Sequence, residues 1–490
     1  MAQLTVLAGK DRRIVTFDAA EKPTVQTVLE AAGVAQPHPC GGRGVCGKCR
    51  VGLSGAVSLP DAAETAAGCR LSCRAKLLGD AVCTLFGEGN MAVETALFGL
   101  PTVLHPMAGD LGAAVDIGTT TLALALVDLR SGAVLTTVTR RNPQGEIAAD
   151  VMGRIGAAMA GKADHLQQLI TTAIGEMVAE ACAAAGTPRP DRMVVTGNTT
   201  MLTLLTATDA SPLSHAPFIA ARLFDEEILL SGIPTYLAPC IGGFVGADTV
   251  CAIGGSGMCD TAETALLCDV GTNGEMALWQ NGRLYVTSTA AGPAFEGVGI
   301  SCGCGAVPGA VDAVTWNGRE MQIHTLGGVP ACGVCGSGLI SAAAAFLDAG
   351  WIDETGAADE ELRLGDVTLA PRDIRALQTA KAAIAAGTVT LLQTAGCTAD
   401  EVTALYIAGG FGSHLPIPAS AAIGLFPETL CDRVRSIGNA ALSGAVGMLL
   451  DTDRVEAARR CVASAEVINL GGNVRFNENY MDAMMLCPIS

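Results

Sequence analysis

No uncharged apolar run in this chain is long enough to cross a bilayer. The Ala-rich stretch around Ile340 to Phe346 falls well short of the roughly 20 residues a spanning helix needs. The N-terminus has no basic region followed by an apolar run, so a secretory leader is not expected. Basic residues are scarce too: 30 Lys and Arg stand against 48 Asp and Glu, a net charge of −18, and no basic run occurs. Nucleic acid is therefore not an expected partner, and a protein partner is expected to meet this chain through a basic or neutral patch. Aromatic residues make up only 4% while apolar residues reach 50% of 490, so the core must be built from Ala, Val, Leu and Gly, over a length that allows two to four domains. Two nucleotide signatures are missing as well, the G-x4-G-K-[ST] loop and a strand-borne G-x-G-x-x-G. The glycine groups Ile253-Gly-Gly-Ser-Gly257 and Gly333-Val-Cys-Gly-Ser-Gly338 read instead as a loop and as the opening of an apolar helix, Leu339 to Leu347. Cysteine is what the chain does not lack. Nineteen of them without a leader imply a reducing, cytoplasmic setting in which most thiols are small buried hydrophobes.

Some of those cysteines are spaced for chemistry. Cys40-Gly-Gly-Arg-Gly-Val-Cys46-Gly-Lys-Cys49 puts three thiols on one glycine-rich loop, and Arg70-Leu-Ser-Cys73 follows. The plant-type iron–sulfur spacing is C-x4-C-x2-C with a distant fourth Cys; this loop is one residue longer at its first gap. Structural zinc prefers two separated C-x2-C pairs, so a [2Fe–2S] cluster is the better reading. Leu4 to Val6 and Ile14 to Phe17 read as paired strands, Thr24 to Ala32 as a helix, and Ala75 to Phe86 as a further strand. Strand, strand, helix, cluster loop resembles a β-grasp ferredoxin. That resemblance places the last ligand just before the following strand, which selects Cys73 over Cys69 and gives Cys40, Cys46, Cys49 and Cys73 as the metal ligands.

A different pattern begins at Ala113-Ala-Val-Asp116-Ile-Gly118-Thr119-Thr120-Thr121. It reads as strand, tight turn and second strand, and Ser131-Gly132 then turns the chain into a third strand, Ala133 to Arg140. A strand-end carboxylate beside a glycine, hydroxyls and amides can surround a phosphate. The unit recurs at Leu266-Leu-Cys-Asp269-Val-Gly271-Thr272-Asn273-Gly274-Glu275, again followed by a hairpin turn, Asn281-Gly282, and a strand. Two such turns read as an internal duplication. A duplicated unit of this kind resembles the ATPase superfamily of actin, sugar kinases and acetate kinases. By that resemblance Asp116 and Asp269 orient Mg²⁺ and water, Gly118, Thr119, Thr120, Thr121, Gly271, Thr272 and Asn273 line the phosphates of ATP, and Gly409, Gly410 and Gly412 lie against the adenosine.

Further segments occur in a fixed order: Asn142-Pro-Gln, Gly197-Asn-Thr-Thr-Met201, Phe244-Val-Gly-Ala-Asp248, Ala291-Gly-Pro-Ala-Phe-Glu-Gly297, Cys335-Gly-Ser-Gly-Leu339, Ala380-Lys381 and Gly438-Asn439. With the two modules they resemble the reductive activators of corrinoid proteins, which use an iron–sulfur electron and ATP to return cobalt(II) to cobalt(I). The fold expected is α/β: an α+β β-grasp ferredoxin domain over 1–87, a linker over 88–112 that serves as hinge, and a duplicated RNase H-like, actin/sugar-kinase-type ATPase over 113–490 with lobes 113–260 and 261–490. The resemblance implies a corrinoid protein of a methyltransferase system and an upstream low-potential donor as partners; a homodimer stays open. Two other functions compete, an ATP-driven activator of the dehydratase type and a non-catalytic redox sensor. Asp248 divides between site carboxylate and helix N-cap. Cys302, Cys304, Cys332 and Cys335 could hold a second metal, but their glycine-rich surroundings favour a structural role.

Overall fold

A computed structural model describes residues 2–8, 11–34, 49, 51–61, 64, 70–85, 97–358 and 361–489. Cys40, Cys46, Cys69 and residues 86–96 lie outside these. The chain divides into two compact units, Met1–Ala92 with Gly292–Ala380, and Val93–Ala291 with Lys381–Ser490.

In the first unit, β1 (Ala2–Ala8) and β2 (Asp11–Phe17) form an antiparallel hairpin. β4 (Leu77–Leu85) runs parallel to β1, and β3 (Val51–Val57) closes the sheet in the order β2-β1-β4-β3. The helix Val25–Ala31 starts where expected, because the Thr24 hydroxyl accepts from Thr27 N–H at 3.1 Å. Leu4, Val6, Phe17, Val25, Leu29, Leu77 and Cys83 fill the space between helix and sheet. Each such side chain contributes about 1.5–3 kcal/mol by leaving water. Later residues of this unit supply β14 (Ala310–Trp316), β15 (Met321–Thr325) and β16 (Gly333–Val334), with the helix Gly336–Asp348 against β14, and the small pair β17 (Leu362–Leu364) and β18 (Val367–Leu369).

The second unit holds two six-stranded sheets built to one plan. In the first, the meander β5 (Leu111–Ile117), β6 (Thr121–Asp128) and β7 (Val134–Arg141) is extended in parallel by β8 (Arg192–Gly197) and β10 (Ile233–Leu237), with β9 (Glu226–Leu230) antiparallel at the edge. In the second, β11 (Ala265–Val270), β12 (Gly274–Gln280) and β13 (Arg283–Thr289) form the meander, β19 (Ala404–Ala408) and β20 (Val434–Ser436) extend it in parallel, and β21 (Ala465–Val467) joins beyond β13. The central strands are buried along nearly their whole length, as strands covered on both faces require. Asn281 and Gly282 both take positive φ, 52° and 76°, the geometry that lets a two-residue loop join twisted strands.

Two expectations change. The stretch Ile253 to Gly257 is not a loop: residues to Ser256 belong to the helix Ala247–Ser256. Gly255 serves a close crossing with the helix Ala440–Leu450: a Cβ there would lie 3.0 Å from the Ala440 carbonyl, and one on Gly444 of that helix 2.0 Å from the Cys251 carbonyl. The expected hinge is held along its described part. Phe98 N–H donates to Ser443 Oγ, His105 N–H to Leu450 O and Met107 N–H to Leu449 O.

Candidate functional site

Cys49 and Cys73 are brought together by backbone pairing. Ser72 N–H donates to Cys49 O at 2.7 Å and Val51 N–H to Arg70 O at 3.1 Å, which sets the segment before β3 alongside the one before β4. The buried Glu64 carboxylate fixes the same segment, accepting from Arg70 Nε at 3.0 Å and Leu71 N–H at 2.9 Å. The two sulfurs sit 3.2 Å apart among Leu71 and each other. The Cys73 thiol, helped by backbone N–H groups and the Ser72 hydroxyl, draws Cys49 down to about 6 in spite of burial. Thiolates, not thiols, bind metals, so this pair is a fitting part of an iron–sulfur donor set. Cys83 is the contrast: it lies in the sheet core, where burial pushes its thiol up to about 12. Cys40 and Cys46, the other expected ligands, and Cys69 fall outside the described residues.

The second site lies where the two duplicated sheets present their turns. Asp116 ends β5, with Ala123 and Thr196 beside it on the neighbouring strands. Asp269 occupies the matching place on β11, opposite Glu275 on β12. Asp248 joins them from the first turn of the helix Ala247–Ser256; the N-cap there is Gly246, so Asp248 is not the cap. All four acidic residues are half-buried. Burial, reinforced by the charge of Asp248, pushes Asp116 and Asp269 up to about 7. Burial also raises Asp248, to about 6, although it accepts from the N–H and hydroxyl of Thr249. Glu275 is raised well above the usual range by burial and then by Asp248 and Asp269.

Neutral donors complete the site. Asn439 caps the helix Ala440–Leu450 through Oδ1, and its Nδ2 donates to Asp116 Oδ2 at 3.1 Å. Asn198 caps Thr199–Leu205 in the same manner, and its Nδ2 reaches the Thr119 hydroxyl at 3.1 Å. Gly409, at φ 88°, comes so close to Asp269 that a Cβ would lie 2.6 Å from its Oδ1. The Gly409–Gly412 turn is thus placed beside the second carboxylate. Among the described residues the one trio of metal-ligating atoms within 4.8 Å of one another is His105, Asp451 and Asp453, of which Asp451 is half-buried and the others exposed. No three of the site carboxylates Asp116, Asp248, Asp269 and Glu275 bring ligand atoms that close together. Nor do three of Cys302, Cys304, Cys332 and Cys335 converge; Cys332 Sγ contacts Pro308 O and Cys335 Sγ contacts Val311 O.

Sequence reasoning missed Glu275 and gave Asn142, Asn198 and Asn439 no role. Glu275 had a usable signal: it stands just past the turn that follows Asp269, where an antiparallel meander must bring it opposite that carboxylate.

Residues 9–78 match the 2Fe-2S iron–sulfur cluster binding domain, residues 111–261 the RACo middle region, and residues 263–489 the C-terminal domain of RACo, the ASKHA domain. The corrinoid activation enzyme RamQ of Eubacterium limosum is 30% identical over 414 residues, 76% of this chain and 69% of that protein. The [Co(II) methylated amine-specific corrinoid protein] reductase of Methanosarcina barkeri is 27% identical over 430 residues, 77% of this chain and 76% of that one. A solved reductive activator for corrinoid, iron–sulfur protein matches with a TM-score of 0.70 and 25% identity, over 99% of this chain and 98% of its own. No described helix is long and apolar enough to cross a membrane.

Proposed function

Because this chain belongs to the RACo family of corrinoid activators, we propose that it returns an inactive cobalt(II) corrinoid protein to cobalt(I) in a one-electron reduction that depends on ATP. The observation that carries this reading is the joint presence, in one chain, of an iron–sulfur domain with a paired, buried Cys49 and Cys73 and of two Asp-x-Gly-Thr turns whose carboxylates feel each other's charge. The names of the relatives, a corrinoid activation enzyme and a corrinoid protein reductase, agree with it.

In this reading Cys40, Cys46, Cys49 and Cys73 hold a [2Fe–2S] cluster, which when bound supplies one electron at a potential near −400 mV. The Cys73 thiol draws Cys49 toward its thiolate, Glu64 and Ser72 N–H fix the backbone around the pair, and Leu71 is buried against it. At the other site Asp116 and Asp269 orient Mg²⁺ and the attacking water. Gly118, Thr119, Thr120, Thr121, Gly271, Thr272 and Asn273 line the phosphates, and Gly409, Gly410 and Gly412 leave room for the adenosine. Hydrolysis adds water to the terminal phosphoryl group and releases ADP and phosphate, while cobalt gains one electron from a low-potential donor and no atom is transferred.

Cobalt(I) is a strong reductant, so its formation needs energy beyond the electron itself. A nucleotide shifts an equilibrium only through unequal affinity for two states. Nucleotide between the turns therefore favours the arrangement that docks on the corrinoid protein. The domain division that goes with this is 1–87 for the ferredoxin part, 88–112 for the linker and 113–490 for the ATPase, in a cytoplasmic protein. The test is an anaerobic mixture of the protein, Mg-ATP, a low-potential reductant and a cobalt(II) corrinoid protein. Appearance of the cobalt(I) absorption spectrum is expected, and its absence with an active partner refutes the proposal.

A further inference from the structure

Behind the first phosphate turn lies a buried guanidinium that no sequence motif announced. Arg154 sits on the short helix Val151–Ala157, whose start is fixed by Asp150 accepting from Gly153 N–H at 2.8 Å. Arg154 is 1% exposed. Its hydrogen bonds to oxygen go to neutral acceptors: Nη2 donates to Thr119 O at 2.6 Å, Nε to Ala148 O at 3.0 Å and Nη1 to Gln144 Oε1 at 3.4 Å. Nη1 also touches Met201 Sδ at 3.2 Å. Burial lowers this group to about 10, so it keeps its charge at neutral pH, and Asp150 acts on it only through space. Burying a cation is costly unless its donors are satisfied, and here the shortest of those bonds ends on the turn itself.

The neighbouring carbonyls are held in the same way. Asn142 Nδ2 donates to Gly118 O at 2.8 Å, and Asn142 N–H donates to Thr120 O at 2.8 Å. Three successive carbonyls, Gly118, Thr119 and Thr120, are thus each held by a donor from Asn142 or Arg154. A planar trans peptide points its N–H opposite to its C=O, so the N–H groups of Thr119, Thr120 and Thr121 face the other way. Successive amides facing one side form a concavity for anions.

We propose that Arg154 is a positioning residue for the first phosphate turn: by holding the Thr119 carbonyl from behind, it aims the turn's amides at the nucleotide phosphates. This rests on the ATPase reading above. It also explains the residue type. A guanidinium reaches Thr119, Ala148 and Gln144 at once with a rigid fork, which an ammonium cannot do.

The experiment compares ADP with adenosine, because a role confined to phosphate amides separates the two ligands while general loosening does not. Arg154→Ala, in the full chain and followed by calorimetry, should bind ADP roughly tenfold or more weakly, the cost of one lost bond to a charged group, with adenosine affinity unchanged. Guanidinium ion added to that variant should restore part of the ADP affinity and leave wild type unaffected. Equal weakening of both ligands, or no weakening, overturns the role. Where Arg154→Ala does not fold, Arg154→Lys decides by the same ratio, with selective loss of ADP affinity expected and an unchanged ratio contradicting it. A wild-type protein that binds no ADP overturns the ATPase reading itself and this role with it.

Discussion

The two Asp-x-Gly-Thr turns share a sequence and a place in duplicated sheets, yet their surroundings differ. Around the first, several donors converge: Asn142 on the Gly118 carbonyl, Arg154 on the Thr119 carbonyl, and Asn198 on the Thr119 hydroxyl. Around the second the additions are a carboxylate, Glu275 directly across from Asp269, and a glycine, Gly409, pressed against Asp269. One copy is built to hold a backbone shape; the other concentrates negative charge. Duplication supplied the same scaffold twice, and the residues outside the motif divided the work.

Removing the carboxylates should have the largest effect. Asp116→Ala and Asp269→Ala should each lower ATP hydrolysis by on the order of a hundredfold or more, the scale of losing a group that stabilises transition-state charge. The iron–sulfur absorption should not change in either variant. Unaltered hydrolysis in both would remove the two turns from the site.

A smaller effect should appear in the pH profile. Asp116 and Asp269 are raised to about 7, so hydrolysis that needs them ionised should fall as pH drops through that value. The charge of Asp248 raises both, and Asp248→Asn should therefore move the acid limb to lower pH; a limb that stays or rises would contradict the assigned coupling. The same raised groups give the folded, ligand-free protein protons that the unfolded chain has already lost. Their contribution to stability should therefore decrease as pH rises from about 4 to about 7, which melting curves across that range can check.

Asn198→Ala and Asn439→Ala each remove a helix N-cap and should each cost about 1 kcal/mol of stability, read from melting curves. Only Asn439→Ala should also shift the acid limb upward, because its amide holds Asp116 down. Equal pH profiles for the two variants would mean that Asn439 serves only as a cap.

Much of this was legible in the chain. The meanders around Asp116 and Asp269 follow from apolar runs interrupted by turn residues, and the ferredoxin strands from their pairing and the glycine-rich cysteine loop. What escaped depended on distance in sequence. Asn439 meets Asp116 across 323 positions, and Arg154 reaches Thr119 from a short helix whose composition signals nothing. The run Ile253 to Gly257 misled because glycine ordinarily marks loops, whereas here Gly255 sits at a close crossing of two helices and Gly257 caps the helix end at positive φ. Asp248 could not be resolved from its segment alone, since a first-turn Asp fits a cap and a site equally well; the capping position falls two residues earlier, at Gly246.

If one chain couples a nucleotide site to cobalt reduction, cobalt(I) must form only when that site works. Cobalt(I) formation by wild type and by Asp116→Ala, both with intact iron–sulfur absorption, is followed anaerobically with the corrinoid protein and a low-potential reductant, with and without Mg-ATP. The account predicts rapid cobalt(I) formation only for wild type with Mg-ATP. Equal rates without ATP, or in Asp116→Ala, would contradict it.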